Sequence, residues 1–211
     1  MDRESQIDTF SRFYQVSRET INSLIKYEEL LLEDNKSLNL IANSTVEYIW
    51  NRHFLDCFQA IDFIDKNQKT LIDLGSGAGF PGLILSIAAK EKKFPLKIKL
   101  IEKSKRKTNF LKKIISKLEL NANVINENIE DKKFHFIDDT FIARAFKPLP
   151  KIFELIHNKA KNFKKIIIFL GKNGQDVLLQ ASKNWDIKYK QRMSVTSNDS
   201  FIIEVNKLIK K

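Results

Sequence analysis

The chain has 211 residues, 37 Lys and Arg against 26 Asp and Glu for a net charge of +11, and 43% hydrophobic residues including 16 Phe. That is enough apolar material for one good-sized core, and six Gly with four Pro exclude collagen-like and Pro/Gly-rich disordered chains. A single cysteine, Cys57, excludes an internal disulfide and a Cys-based zinc site; no apolar run approaches the roughly 20 residues of a membrane span. Met1-Asp2-Arg3-Glu4 lacks the basic-then-apolar pattern of a signal peptide, so a cytoplasmic protein with no membrane and no metal is expected.

The first 65 residues contain neither Pro nor Gly and read as helical throughout. Phe10, Phe13 and Tyr14, then Ile21, Leu24 and Ile25, recur at the three- and four-residue spacing of a buried helix face. Asn35-Lys36-Ser37 interrupts this pattern, and Ser44-Thr45-Val46-Glu47 has the spacing of a capping box. A helix from about Thr45 to Ile64 is expected, turning Ile49, Trp50, Phe54, Phe58 and Ile61 inward. Residues 1–66 are thus expected to form a helical cap on a main unit spanning 67–211.

From residue 70 the period changes. Leu71 to Leu74 reads as a strand running into glycines, and Pro81 stands in the first turn of a helix to about Lys90. Leu96 to Glu102 is a second strand, followed by a helix capped by Ser104 and reaching Leu118. Val124-Ile125, Phe141 to Ala143 and Ile166 to Leu170 continue the alternation, with helices over Lys151 to Ala160 and Val177 to Ser182. Trp185 to Lys190 and Phe201 to Val205 are two strands with no helix between them. The fold class is α/β: a doubly wound parallel sheet ending in an antiparallel hairpin, with the helical cap in front.

Charge placement is more informative than its total. Thirty of the basic residues are Lys, beside 27 Ile and 17 Asn, a bias that AT-rich codons produce unaided. Lys90 to Lys113, however, holds eleven basic and two acidic residues, whereas residues 1–35 hold four and eight. A basic band on an otherwise mixed surface is the footprint of a polyanion such as RNA.

The densest signal is Asp73-Leu74-Gly75-Ser76-Gly77-Ala78-Gly79-Phe80-Pro81-Gly82, where a doubly wound sheet binds its ligand. Gly77 to Gly82 satisfies the dinucleotide pattern G-x-G-x-x-G, with Glu102 twenty residues beyond. Asp73, Gly75, Gly77 and Gly79 equally satisfy the D-x-G-x-G-x-G loop of S-adenosylmethionine methyltransferases. Either nucleoside needs a backbone free of Cβ atoms and an acid for its ribose hydroxyls. A carboxylate beside the loop favours a sulfonium cation over a pyrophosphate.

Taken together, these segments resemble one family. Asn39-Leu40 with Arg52-His53-Phe54-Leu55-Asp56 resembles its N-L and R-H-x-x-D. Asp73 to Gly82 resembles its loop ending in [LF]-P-G, Glu102 with Arg106-Lys107 its acid and basic pair, and Ala143-Arg144-Ala145-Phe146 its R-A. The family is RsmG (GidB), bacterial small-subunit rRNA methyltransferases that use S-adenosylmethionine and act on guanine N7. The resemblance implies that Gly75, Phe80, Ile129, Glu130 and Arg144 contact the cofactor within the loop framed by Asp73, Gly77 and Gly79, and that Glu102 holds the ribose; Arg144, at a strand tip in the expected cleft, is equally a candidate for positioning the target base. Arg52, His53, Lys103, Lys105, Arg106, Lys107 and Lys172 are the RNA contacts expected, the partner being small-subunit rRNA or the ribosomal subunit and the protein a monomer. Where the family usually has Lys-Gly after the fifth strand, this chain has Gly171-Lys172-Asn173-Gly174.

Guanine N7 has a lone pair and no proton, so no general base is expected. Cys57 stands apart from the strand ends that a covalent cytosine-C5 mechanism would use. The polar residues also have plainer readings: Arg52 and Asp56 as an i, i+4 pair, His53 hydrogen-bonded to Asp56, and the cations at 103–107 as a solvated helix start, against the helix dipole. A dinucleotide-dependent oxidoreductase and a non-catalytic rRNA-binding assembly factor are the competing functions.

Overall fold

The computed structural model describes residues 2–131, 135–136, 139–160 and 162–211. Two helices lead: α1 (Arg3–Tyr14), whose first turn is capped by Asp2, and α2 (Arg18–Leu38), capped by Ser17. The break expected at Asn35 does not occur. Asn35 is buried inside α2, and its side-chain oxygen accepts from the Ile41 amide at 2.9 Å, so it organises the chain reversal after the helix.

The helix expected over Thr45 to Ile64 is helical in a broken way. A 3₁₀ stretch (Asn43–Tyr48) passes into a π-helical turn (Trp50–Leu55), a single α turn α3 (Asp56–Phe58) and a second 3₁₀ stretch (Gln59–Phe63). The capping box is absent: no side chain caps the first stretch, and the Thr45 hydroxyl donates to the Ala42 carbonyl instead. Phe54 and Phe58 remain fully buried, since changes of helical pitch let aromatic residues of uneven spacing all turn inward.

The sheet has seven strands in the order β3-β2-β1-β4-β5-β7-β6: β1 (Thr70–Leu74), β2 (Lys97–Ile101), β3 (Ala122–Ile125), β4 (Asp139–Ala143), β5 (Phe163–Leu170), β6 (Trp185–Ser194) and β7 (Ser197–Lys210). The first five are parallel, whereas β7 runs antiparallel to both β5 and β6. The helices between them are α4 (Gly82–Glu91), α5 (Lys105–Leu118), α6 (Leu149–Lys159) and α7 (Gly174–Asn184). One apolar core joins α1, α2 and the cap segment to α4, α5 and one sheet face; a second lies under α6 and α7 on the other. Pro81 precedes α4 rather than occupying its first turn, because the chain from Ser76 to Pro81 is spent on the loop.

The acidic start of the chain lies against the basic band. Lys113 of α5 bridges Glu33 and Asp34 of α2, each at 3.1 Å, and the Arg106 guanidinium donates to the Ser37 carbonyl at 3.0 Å. Part of the positive stretch is therefore answered within the molecule.

Candidate active site

The strand order reverses direction between β1 and β4, and their carboxyl ends open a cavity of about 430 Å³. One wall is the loop after β1. Gly75 adopts φ +71°, and a Cβ there would lie 2.1 Å from Cδ2 of Phe146, so the loop and the segment after β4 close on each other only through a residue without a side chain. Glu102, buried at the end of β2, accepts from the Gly77 amide at 3.0 Å and from the Ser104 amide at 2.7 Å. Each carboxylate oxygen keeps a further lone pair beyond these bonds.

Support from behind comes from the cap. Tyr27 of α2 is fully buried and its hydroxyl donates to the Ala78 carbonyl at 2.5 Å. Gly79, at φ +95°, faces the same tyrosine; a Cβ there would reach 2.4 Å from its oxygen. Phe80 turns back over the loop and stacks on His53, with ring centroids 5.0 Å apart and planes 7° from parallel.

The opposite wall is built by side chains from three separate elements. Arg144, just after β4, donates from Nε to Asp56 Oδ2 at 3.0 Å, from Nη2 to the Arg52 carbonyl at 2.8 Å, and from Nη1 to His53 Nδ1 at 3.3 Å. A guanidinium only donates, so His53 Nδ1 is the acceptor and its proton sits on Nε2, which meets the Thr45 hydroxyl at 3.0 Å. Burial, then the cationic Arg144 and Arg52, push the imidazole down to about 3, so it is neutral at physiological pH. Three of the five guanidinium N–H groups are committed; the other two have no partner among the described residues.

The expected site residues divide clearly. Gly75, Gly77, Phe80, Glu102, Ile129, Glu130, Arg144, His53, Lys103 and Lys107 all line the cavity. Asp73 does not: it is buried behind the loop, accepting from the Gly82 amide at 3.1 Å. Gly79 points toward the cap instead. Lys105 and Arg106 lie on the exposed surface beyond the mouth, the Arg52 side chain is exposed while its carbonyl serves Arg144, and Lys172 stands outside the cavity lining. The expected Arg52–Asp56 and His53–Asp56 pairs do not form, because Arg144 claims the Asp56 carboxylate and the His53 ring. Tyr27 and Lys147, which pairs with Glu130 at 3.1 Å, carry parts of the site outside the sequence motifs, and Thr45 and Phe146, read there as parts of a capping box and the R-A segment, serve the site as well.

Among the described residues, no group of three or more His, Cys, Asp or Glu could hold a metal ion, and no helix is long and apolar enough to cross a membrane. Burial raises the Cys57 thiol well above its ordinary range.

Residues 20–203 match the family GidB, described as rRNA small subunit methyltransferase G. The Ribosomal RNA small subunit methyltransferase G of Pelagibacter ubique is 41% identical over 199 residues, covering 93% of this chain and 92% of that protein. Its counterpart in Rickettsia akari is 37% identical over 196 residues, covering 93% and 98%. In three dimensions the chain is similar to a SAM dependent methyltransferase from Aquifex aeolicus, with a TM-score of 0.54, 18% identity and coverage of 79% and 94%. TrmK from M. capricolum, solved with S-adenosyl-homocysteine, gives 0.51, 20% identity and coverage of 72% and 67%. At these identities the two structures bear on the fold alone.

Proposed function

The chain belongs to the rRNA small subunit methyltransferase G family, and on that premise we propose that it transfers the methyl group of S-adenosylmethionine to N7 of a guanine in small-subunit rRNA, as a cytoplasmic monomer. The cavity fits that cofactor. Its volume suits an adenosyl amino acid, its glycine loop admits a nucleoside against bare backbone, and Glu102 retains acceptors for ribose hydroxyls. The lining sets Glu102, Glu127 and Glu130 beside Lys103, Lys107, Arg144 and Lys147, both signs together, as suits a ligand that carries a sulfonium, an ammonium and a carboxylate. When bound, S-adenosylmethionine supplies an electrophilic methyl group whose departure leaves a neutral thioether.

The choice of N7 follows the family resemblance, and the observation that supports it is His53. It is the one imidazole on the cavity lining among the described residues, it is neutral, and both ring nitrogens are engaged. A ring so committed cannot take a proton from an amine or hydroxyl, but an acceptor that arrives with a free lone pair needs no such help. The work left to the protein is alignment, which supplies roughly 7–11 kcal/mol when reacting atoms are well placed. Arg144 serves this by offering its two remaining N–H groups, while Asp56 balances its charge, so the wall does not oppose the positive charge that the alkylated base acquires.

We read residues 1–66 as the cap that braces the loop and residues 67–211 as the catalytic unit. Lys103 and Lys107 at the mouth, continued outward by Lys105 and Arg106, form the RNA approach. Replacing Lys105 and Arg106 by Ala lowers the slope of log K against log salt for rRNA binding by roughly 0.7–0.9 for each phosphate that is no longer neutralised. The deciding assay incubates the protein with labelled S-adenosylmethionine and undermethylated small subunits or their naked rRNA, then maps N7-methylguanine by strand cleavage. Label at an N7 position is the expected result; unlabelled RNA overturns the rRNA assignment, and label without N7 cleavage overturns the acceptor atom.

A further inference from the structure

We propose that Ser194 and Thr196, on the turn of the terminal hairpin, are positioning residues for Arg144 and act on it through Asp56. The inference rests on the reading of Arg144 as a cavity residue that orients substrate. Asp56 joins the two places. Its Oδ2 accepts from Arg144 Nε at 3.0 Å, and its Oδ1 accepts from Ser194 Oγ at 3.0 Å, Thr196 Oγ1 at 3.2 Å and Gln59 Nε2 at 2.9 Å. Three donors on one oxygen fix the rotation of the carboxylate, and that rotation decides where the other oxygen presents itself to the guanidinium.

The turn is in turn held by the cap. Gln59 is fully buried, donates also to Ser194 Oγ at 3.0 Å, and accepts the Val195 amide at 3.2 Å. Arg192, two residues earlier, donates to the Gln59 carbonyl at 2.7 Å and pairs with Asp62 at 3.0 Å. Val195-Thr196 has no glycine or asparagine to favour a tight turn, so these tertiary bonds set its conformation. The hydroxyls it presents converge on the one carboxylate whose far oxygen faces the cavity wall. The terminal hairpin thereby does more than close the sheet edge: it sets the orientation of a side chain at the carboxyl end of β4.

The test compares the full-length protein with Ser194→Ala/Thr196→Val and with the conservative Thr196→Ser. The Arg144 Nε–H resonance, assigned by its loss in Arg144→Lys, reports the pairing directly; kcat for rRNA methylation and the affinity for S-adenosylhomocysteine report the two walls of the cavity. In the double variant the resonance broadens through solvent exchange and kcat falls about tenfold, while S-adenosylhomocysteine affinity stays within twofold; Thr196→Ser, which retains the hydroxyl, keeps both the sharp resonance and kcat. Should the double variant not fold, Thr196→Val alone, which keeps the buried Ser194 hydroxyl, is read by the same resonance and kcat. A sharp Arg144 signal with unchanged kcat overturns the proposal, as does an equal loss of cofactor-product affinity, which would mark a merely structural role. If the unaltered protein methylates no rRNA, the functional reading fails, and the resonance alone still decides whether the turn holds Arg144.

Discussion

The two walls of the cavity are made in different ways. The loop wall, Gly75 to Phe80 with Glu102, is backbone geometry: glycines in the left-handed region, amides turned toward a carboxylate, and residues nearly contiguous in the chain. The Arg144 wall is side-chain geometry, assembled from the π-helical turn, α3 and the end of β4, with the hairpin turn behind it. The first kind of wall has no room for a side chain at Gly75 or Gly79, whereas the second depends on partners that can be removed one at a time. The walls should therefore fail differently: the loop wall in ligand binding, the Arg144 wall in stability and turnover.

The largest expected effect is Gly75→Val. Its side chain would collide with the Phe146 ring and place a β-branched residue at φ +71°, a conformation costing about 1–2 kcal/mol in itself. Calorimetry with S-adenosylhomocysteine should show affinity reduced at least about 100-fold. Asp56→Ala acts on the other wall. Breaking a fully buried pair costs roughly 3–5 kcal/mol, and since Arg144 and Asp56 are 18% and 13% exposed the expected loss is about 2 kcal/mol, read by thermal unfolding as roughly 4–8 °C. S-adenosylhomocysteine affinity should change less than threefold. If it collapses as in Gly75→Val, the walls are one unit and the comparison is wrong.

The same difference explains what could be read beforehand. Asp73 to Gly82 announces itself because alternate glycines before a helix have few other uses, and Glu102 follows from strand spacing. The motifs at Arg52 to Asp56 and at Arg144 are each visible alone, yet nothing in their spacing says that Arg144 would take Asp56 away from Arg52 and engage His53. The hairpin turn was hidden for a related reason: its signal is tertiary, in Ser194, Thr196 and Gln59, rather than a local glycine or asparagine. The role of residues 1–35 was equally invisible, since a helix face shows that it is buried but not what it is buried against; α2 sets Tyr27 on the loop and Glu33 and Asp34 on Lys113.

Tyr27→Phe sharpens the comparison at an intermediate scale. It keeps the ring contacts with Phe54 and Phe80 but leaves the Ala78 carbonyl without its hydroxyl partner in a buried place, a loss of about 1–3 kcal/mol. Because that carbonyl belongs to the loop wall, the effect should appear in binding as well: a several-fold weaker affinity for S-adenosylhomocysteine, together with a lowered unfolding temperature. An effect on stability alone would mean that the loop holds its shape without the cap.

Asp73→Asn should have the smallest effect on the cavity, and its sign with pH is specific. Burial raises the Asp73 carboxyl from 3.8 to about 7, against the opposing hydrogen bond from the Gly82 amide. Between about pH 4 and pH 7 the folded protein therefore holds a proton that the unfolded chain has released, and this group's contribution to stability falls as pH rises through that window. Asparagine has no proton to lose, so the unfolding temperature of the variant relative to the unaltered protein should climb from pH 5 to pH 8. The affinity for S-adenosylhomocysteine should stay within twofold, because Asp73 lies behind the loop and not on the cavity lining. A carboxylate placed at the ligand's amino-acid end, as the loop motif suggests, would instead make this substitution as damaging to binding as a change in Glu102, and the two measurements separate these cases without any structure of the complex.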